Sequence, residues 1–284
     1  MDDTIHGGET QEKGEKIQKN DGPPSLLEAG LATDASNIPA PSDLLRAAAD
    51  PALTEDLALA MLKRADLHAD VIQQLAKNVN ALKSRKVNVA LVGHPHTPRH
   101  VSVPMARQFY TFDLMKIALL PAVPADVKVA LDDALIARLK AVTLGERLTL
   151  ARRASGRVAA ALLLDARSGD GKTAAGDSRI KTAASMEREN RVMLTALENS
   201  RLTEAQVISA VLRPEASAAL VDAVAHHAKW SRRREIRAAL LRTEHLSLAC
   251  ALEFGGEIPD PLLREILGSS RLPDKIKGQL LREK

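Results

Sequence analysis

The residues whose types and spacing best suit chemistry are the histidines of HPHTPRH: His94, His96 and His100. If Pro98 opens a helix, His96 and His100 meet across its first turn, and imidazoles at that spacing bind zinc or nickel. No carboxylate or cysteine lies beside them in sequence, so the competing reading is a turn between helices whose imidazoles are exposed or cap backbone groups. His226 and His227 are a weaker pair, because adjacent residues diverge on a helix. GDGKT at Gly169–Thr173 ends like a phosphate-binding loop but lacks the first glycine at the required spacing and an apolar strand before it. The chain holds no nucleophile elbow, no CxxC and no HExxH. Cys250 follows Ala249 on an apolar stripe and reads as a small buried hydrophobe. These residues name no catalytic group, no metal-ligand set and no cofactor, and the expectation is a protein that is not an enzyme.

Basic clusters form the second constellation. KSRK holds Lys83, Arg85 and Lys86, and SRRR holds Arg232, Arg233 and Arg234. Each precedes an apolar helical segment with an Ala-Leu pair. Cations at helix N-termini are mildly disfavoured by the macrodipole, which hints at an external anion such as a phosphate backbone. A third group, Arg147, Arg152, Arg153 and Arg157, sits on a helix expected over Leu144–Leu164. The alternative is a set of solvated faces pairing with nearby carboxylates. Trp230 directly precedes SRRR, where it can stack on a base or, as a lone tryptophan usually does, wedge between helices. Phe109, Tyr110 and Phe112 read as local core with an exposed edge, or as the mark of a partner groove.

The elements that must position these groups are helical. The 284 residues are 45% apolar but only 2% aromatic, which argues against an aromatic-rich β-fold and a base-stacking platform. Ala, Leu and Val dominate, as packed helices prefer. One cysteine excludes a disulfide framework and a cysteine zinc cage. Residues 1–43 carry three Lys and nine Asp or Glu, a net of −6, while the rest carries 37 basic and 27 acidic side chains, a net of +10. An acidic arm on a basic body can compete for the face that attracts a polyanion, or can simply aid solubility. The polar start is unlike a signal peptide, and VAAALLL before Asp165 is too short to cross a bilayer. The expectation is a cytoplasmic protein without membrane insertion.

Displacing the chain by 149 residues lays Pro51–Leu131 on Ser200–Leu280 without a gap over 81 positions, with 15 identities. LTE at Leu53–Glu55 meets LTE at Leu202–Glu204. Lys83 meets Arg232, Arg85 meets Arg234, and Pro124 and Lys128 meet Pro273 and Lys277. Of the histidines in HPHTPRH only His96 keeps its type, facing His245. Within the copies the apolar residues fall on helical stripes, as at Val207, Ile208, Val211 and Leu212. Thr203 with Gln206 and Thr143 with Glu146 have capping-box spacing. Thr97 reads as a cap before Pro98 at a first helical position, Pro124 and Pro273 as first-turn prolines, and Pro104 as a residue that keeps the helix after Pro98 short or kinked.

Such short one-sided helices gain stability only by stacking. NSRLTEAQVISAVL, SRRREIRAALL, HPHTPRHVSV and RLPDKIKGQLL resemble HEAT-like α-helical repeats, and more weakly the bacterial leucine-rich repeat variant type. The latter implies a period near 24 residues, which is not found, and an iron–sulfur cluster, whose ligands one cysteine cannot supply. The resemblance implies an all-α fold, a right-handed or irregular α-solenoid of short repeats, internally duplicated. The expected organisation is a disordered acidic arm at 1–42, with Leu26, Leu27 and Leu31 its one apolar patch. A first array follows at 43–165, a flexible insertion at 166–189 and a second array at 190–284. The implied function is a scaffold for an unidentified protein or peptide. The alternative is nucleic acid or another polyanion held by Lys83, Arg85, Lys86, Arg232, Arg233, Arg234, Arg152 and Arg153.

Overall fold

The computed structural model describes residues 41–165 and 183–283, which are all-α. The acidic arm and the GDGKT segment lie outside the described residues. Helices α1 (Pro41–Ala49), α2 (Glu55–Leu62), α3 (Ala69–Leu75), α4 (Val79–Leu82), α5 (Arg85–Gly93), α6 (Arg99–Ala106), α7 (Thr111–Ala118) and α8 (Ala125–Arg138) carry the first copy. Then come α9 (Leu144–Arg153), α10 (Gly156–Asp165) and α11 (Ala183–Leu197), which takes up 183–189 from the stretch assigned to the insertion. The second copy comprises α12 (Glu204–Val211), α13 (Ala218–Ala225), α14 (Arg234–Leu240), α15 (Leu248–Gly256), α16 (Asp260–Gly268) and α17 (Asp274–Arg282).

The duplication is visible in the helix starts. Glu55, Ala69, Arg85, Arg99, Thr111 and Ala125 begin helices in the first copy, and Glu204, Ala218, Arg234, Leu248, Asp260 and Asp274, each 149 residues later, begin helices in the second. Core positions agree as well: Val71, Ile72 and Leu75 are buried, as are Leu220, Val221 and Val224. Helices pack on their neighbours in chain order. One row runs α2 on α5 and α5 on α7, and again α10 on α12 and α12 on α14. The other joins α1 to α3, α6 to α8, α9 to α11, α11 to α13 and α15 to α17. Helices this short hold together through that packing.

Local signals set most boundaries. Both capping boxes form, Thr143 with Glu146 and Thr203 with Gln206. Ser84, Ser217 and Ser247 cap α5, α13 and α15 through their hydroxyls, each cap contributing about 1 kcal/mol. Three proline expectations need correction. Pro98, Pro124 and Pro273 are N-cap residues in extended backbone, one position before the first helical residue. Thr97 caps nothing at α6, since its hydroxyl donates back to the Leu91 carbonyl. Pro104 does lie inside α6, which ends at Ala106.

The single helix expected over Leu144–Leu164 is in fact two. Ala154 turns extended (ψ 178°), and the Ser155 hydroxyl accepts from the Val158 amide as α10 begins. Gly156 explains the break: a Cβ there would stand 2.2 Å from the Arg201 carbonyl oxygen. The chain must turn where α10 passes the α11–α12 connection, and only glycine permits that approach.

Side chains from later segments reach back to carbonyls at the ends of earlier helices, groups that helices leave without partners. Asn78 Nδ2 donates to Ala48 O at 3.0 Å and to Asp50 O at 2.8 Å. Asn199 Nδ2 donates to Ala151 O and Ala154 O, and Ser270 Oγ to Leu241 O. Trp230, 2% exposed, donates Nε1–H to Leu197 O at 2.9 Å. Trp230 stands where the first copy has Ala81, and Leu197 where it has Ala48. The same carbonyl position is therefore served by an amide in one copy and an indole in the other.

The apolar interior forms two clusters. One runs from Ala48 to Leu91, the other from Val92 to Leu280, and Met105 packs against both. The second cluster includes Leu162 and Leu163 of α10 with Val192 and Met193 of α11.

Candidate functional site

The histidines of HPHTPRH join the carbonyl-reaching set. His94 is buried; its Nδ1 accepts from the His96 amide, so Nε2 carries the proton and donates to Arg64 O at 2.9 Å. His96 Nδ1 lies 3.0 Å from Leu67 O and must donate to it. Both nitrogens of His94 are thus engaged, and the ring has no lone pair left for a metal. His100 is exposed on α6. The spacing that suggests metal binding instead ties the α5–α6 turn to the α2–α3 turn.

The basic turns occupy equivalent places and do different work. Lys86 pairs with Glu55 at 3.0 Å, and that ammonium holds the Glu55 carboxyl below its ordinary value. Arg85 pairs with Asp113 at 2.7 Å, and its guanidinium lies 4.6 Å over the exposed Tyr110 ring. Lys83 Nζ donates to Asn80 Oδ1. In the second copy Arg233 reaches Glu204, the counterpart of Glu55, at 3.5 Å. Arg232 and Arg234 are exposed. The position of Asp113 is taken by Leu262, so Arg234 lacks the carboxylate that Arg85 holds. Phe109 is buried, whereas Tyr110 and Phe112 are exposed.

Lys83, Arg85 and Lys86 line a groove of about 1110 Å³ between α2, α5 and α7. Leu62, Val89, Ala90 and Leu120 give it an aliphatic floor, and Lys63 and Lys116 extend its basic rim. Gly93, the last residue of α5, lines it without a side chain; a Cβ there would stand 3.0 Å from Leu120 Cδ1.

The second copy differs at the same place. Arg242 replaces Gly93, Glu244 replaces Pro95 and Arg271 replaces Ala122. Arg271 donates through Nη2 to Leu212 O at 3.0 Å and through its amide to Arg242 O at 3.2 Å. The rim charges change too: Lys86, Lys116 and Lys63 become Glu235, Glu265 and Leu212.

Arg152 and Arg153 lie elsewhere. With Arg191, Thr149 and Thr195 they line a 450 Å³ surface depression between α9 and α11, with no acidic residue among its described lining. Arg157 meets Asp133 at 2.6 Å beside a groove between α8, α10 and α12. Nearby, burial pushes the Asp132 carboxyl up despite a hydrogen bond from Ser155.

Sequence reasoning missed Gly93, Lys63, Lys116, Leu120 and Arg191. The signal for the first three was present in the 149-residue alignment, as the positions where the copies differ in size or charge. Cys250 is buried, with Sγ 3.7 Å from His226 Nε2. Among the described residues no helix is long and apolar enough to cross a membrane.

No family model, curated protein or solved structure matches this chain.

Proposed function

We propose that the protein is a non-enzymatic helical-repeat scaffold of the HEAT-like class that binds another protein through the groove between α2, α5 and α7. One observation carries the reading: the first copy leaves an aliphatic groove with a basic rim, whereas in the second copy Arg271, standing where the first has Ala122, reaches across to the Leu212 carbonyl, and two rim lysines become Glu235 and Glu265. Pre-formed concave apolar surfaces are where repeat proteins bind partners. The test is capture by the immobilised full chain from lysate of its own cells, followed by titration of the purified captured protein. Wild-type chain retains a protein that binds saturably, and Gly93→Arg loses it. Equal retention by Gly93→Arg, or a measured turnover, overturns the proposal.

A second reading has its own observation, the acid-free arginine cluster of Arg152, Arg153 and Arg191. It supports phosphate-backbone binding to DNA or RNA. Fluorescence anisotropy of a labelled oligonucleotide at two salt concentrations tests it. Binding by these residues weakens steeply with salt, and Arg152→Ala with Arg153→Ala reduces the log–log salt slope by about 2. An unchanged slope removes this reading.

A further inference from the structure

We propose that the occupant of the α2/α5/α7 groove is an acidic amphipathic helix presented by a partner protein, its apolar face on the aliphatic floor and its carboxylates on the lysine rim. This rests on the scaffold reading above and names the chemistry of the partner.

Charge complementarity selects the occupant. Five cations line the groove, Lys63, Lys83, Arg85, Lys86 and Lys116, against two carboxylates, Glu55 and Asp113. Lys86 and Arg85 are neutralised by those carboxylates. Lys83 has only the neutral Asn80 amide oxygen as partner. Lys63 and Lys116 are exposed and have no partner among the described residues. The groove therefore offers three uncompensated ammonium groups around an apolar floor. A nucleic acid would use the ammoniums but gains little from Leu62, Val89 and Leu120, since its bases need a stacking surface. The exposed Tyr110 ring is covered on one face by Arg85. An uncharged apolar segment would use the floor and leave the ammoniums unanswered. A helix with apolar residues at i, i+3, i+4 and i+7, flanked by Glu or Asp, answers both. Ammonium point charges on flexible stems also suit scattered single carboxylates, whereas forked phosphate recognition favours arginine.

The second copy supplies the specificity control within the same chain. There Arg271 crosses to the Leu212 carbonyl, and Glu235 and Glu265 stand in place of Lys86 and Lys116.

The experiment uses the full chain and three fluorescein-labelled designed helical peptides. The first carries Leu at i, i+3, i+4 and i+7 with Glu on the flanks; the second replaces Glu by Lys; the third replaces Leu by Ser. Anisotropy titration gives saturable binding of the Leu/Glu peptide with Kd at least tenfold below that of either control. Gly93→Arg weakens it at least tenfold, as does the surface pair Lys63→Glu with Lys116→Glu, which decides the matter should Gly93→Arg misfold. Equal binding of the Lys peptide, equal binding of the Ser peptide, or no effect of Lys63→Glu with Lys116→Glu overturns the proposal. So does an unlabelled single-stranded oligonucleotide that displaces the Leu/Glu peptide and binds more tightly than it. If a captured protein is lost with Gly93→Arg while the Leu/Glu peptide fails to bind, the acidic-helix inference falls and the scaffold reading stands. If nothing is captured and the peptide fails, both fall.

Discussion

The two copies share a backbone plan and differ in what fills it. Helices begin at positions 149 residues apart six times over, yet only 15 of the 81 aligned residues are identical. What is retained is apolar volume at stripe positions and an answer for each exposed carbonyl, and the answer need not be the same residue. Ala48 O is met by Asn78 and Leu197 O by Trp230. Glu55 is met by Lys86 and Glu204 by Arg233. The groove is where the copies differ most: one keeps an aliphatic floor with a positive rim, and the other spans the place with Arg271 and carries Glu235 and Glu265 on the rim.

The largest expected effect comes from removing a solution that one copy uses and the other lacks. Trp230→Ala leaves both a cavity and a bare Leu197 carbonyl, and chemical denaturation should show a loss of about 3–5 kcal/mol. Asn78→Ala strips two carbonyls in the first copy and should cost about 1–3 kcal/mol by the same measurement. If the two substitutions cost the same, the carbonyl bond dominates and the indole volume adds nothing. Exchanging the residues at this position, Gly93→Arg with Arg242→Gly, crowds Leu120 Cδ1, 3.0 Å from a Cβ at 93, and should cost about 1–3 kcal/mol by the same measurement. It should also abolish Leu/Glu peptide binding without re-creating it in the second copy, because Glu235 and Glu265 repel carboxylates there. Recovery of binding in the exchanged protein would show that space alone, not charge, separates the copies.

The smallest effect is a pH dependence. Burial raises the Asp132 pKa in the folded state, and the second copy has Leu281 at that position. Above the ordinary aspartate range and below the raised value, the folded chain holds a proton that the unfolded chain has released. Wild-type stability therefore falls as pH rises through that window. Asp132→Asn does not titrate there and keeps the Ser155 hydrogen bond, so its melting temperature should gain on wild type between acid and neutral pH.

Much of the fold was legible because its signals are local. Thr143 with Glu146, Thr203 with Gln206, and the stripes of α12 and α13 depend on residues within a turn or two. The register of the copies was legible because an ungapped displacement needs no structure. The break at Ala154 was not, since it arises from Gly156 meeting Arg201, 45 residues away in the chain. The histidines were misleading for the same reason: their spacing in HPHTPRH is local, but the carbonyls of Arg64 and Leu67 that hold them come from the preceding helix pair. Lys83, Arg85 and Lys86 were identifiable as a basic cluster, while the groove they border depends on an absent side chain at Gly93 and on Leu120 from another helix.

The seam between the two interior clusters falls inside α5, where Leu91 belongs to one and Val92 to the other. Helices α1–α4 thus lean on the remainder largely through one short helix, and the groove spans that joint, with α2 on one bank and α7 on the other. Whatever lodges there works as a splint. Its free energy of binding is also a resistance to hinging at α5, so hydrogen exchange in α1–α4 should slow on occupancy while the second copy exchanges at its own pace.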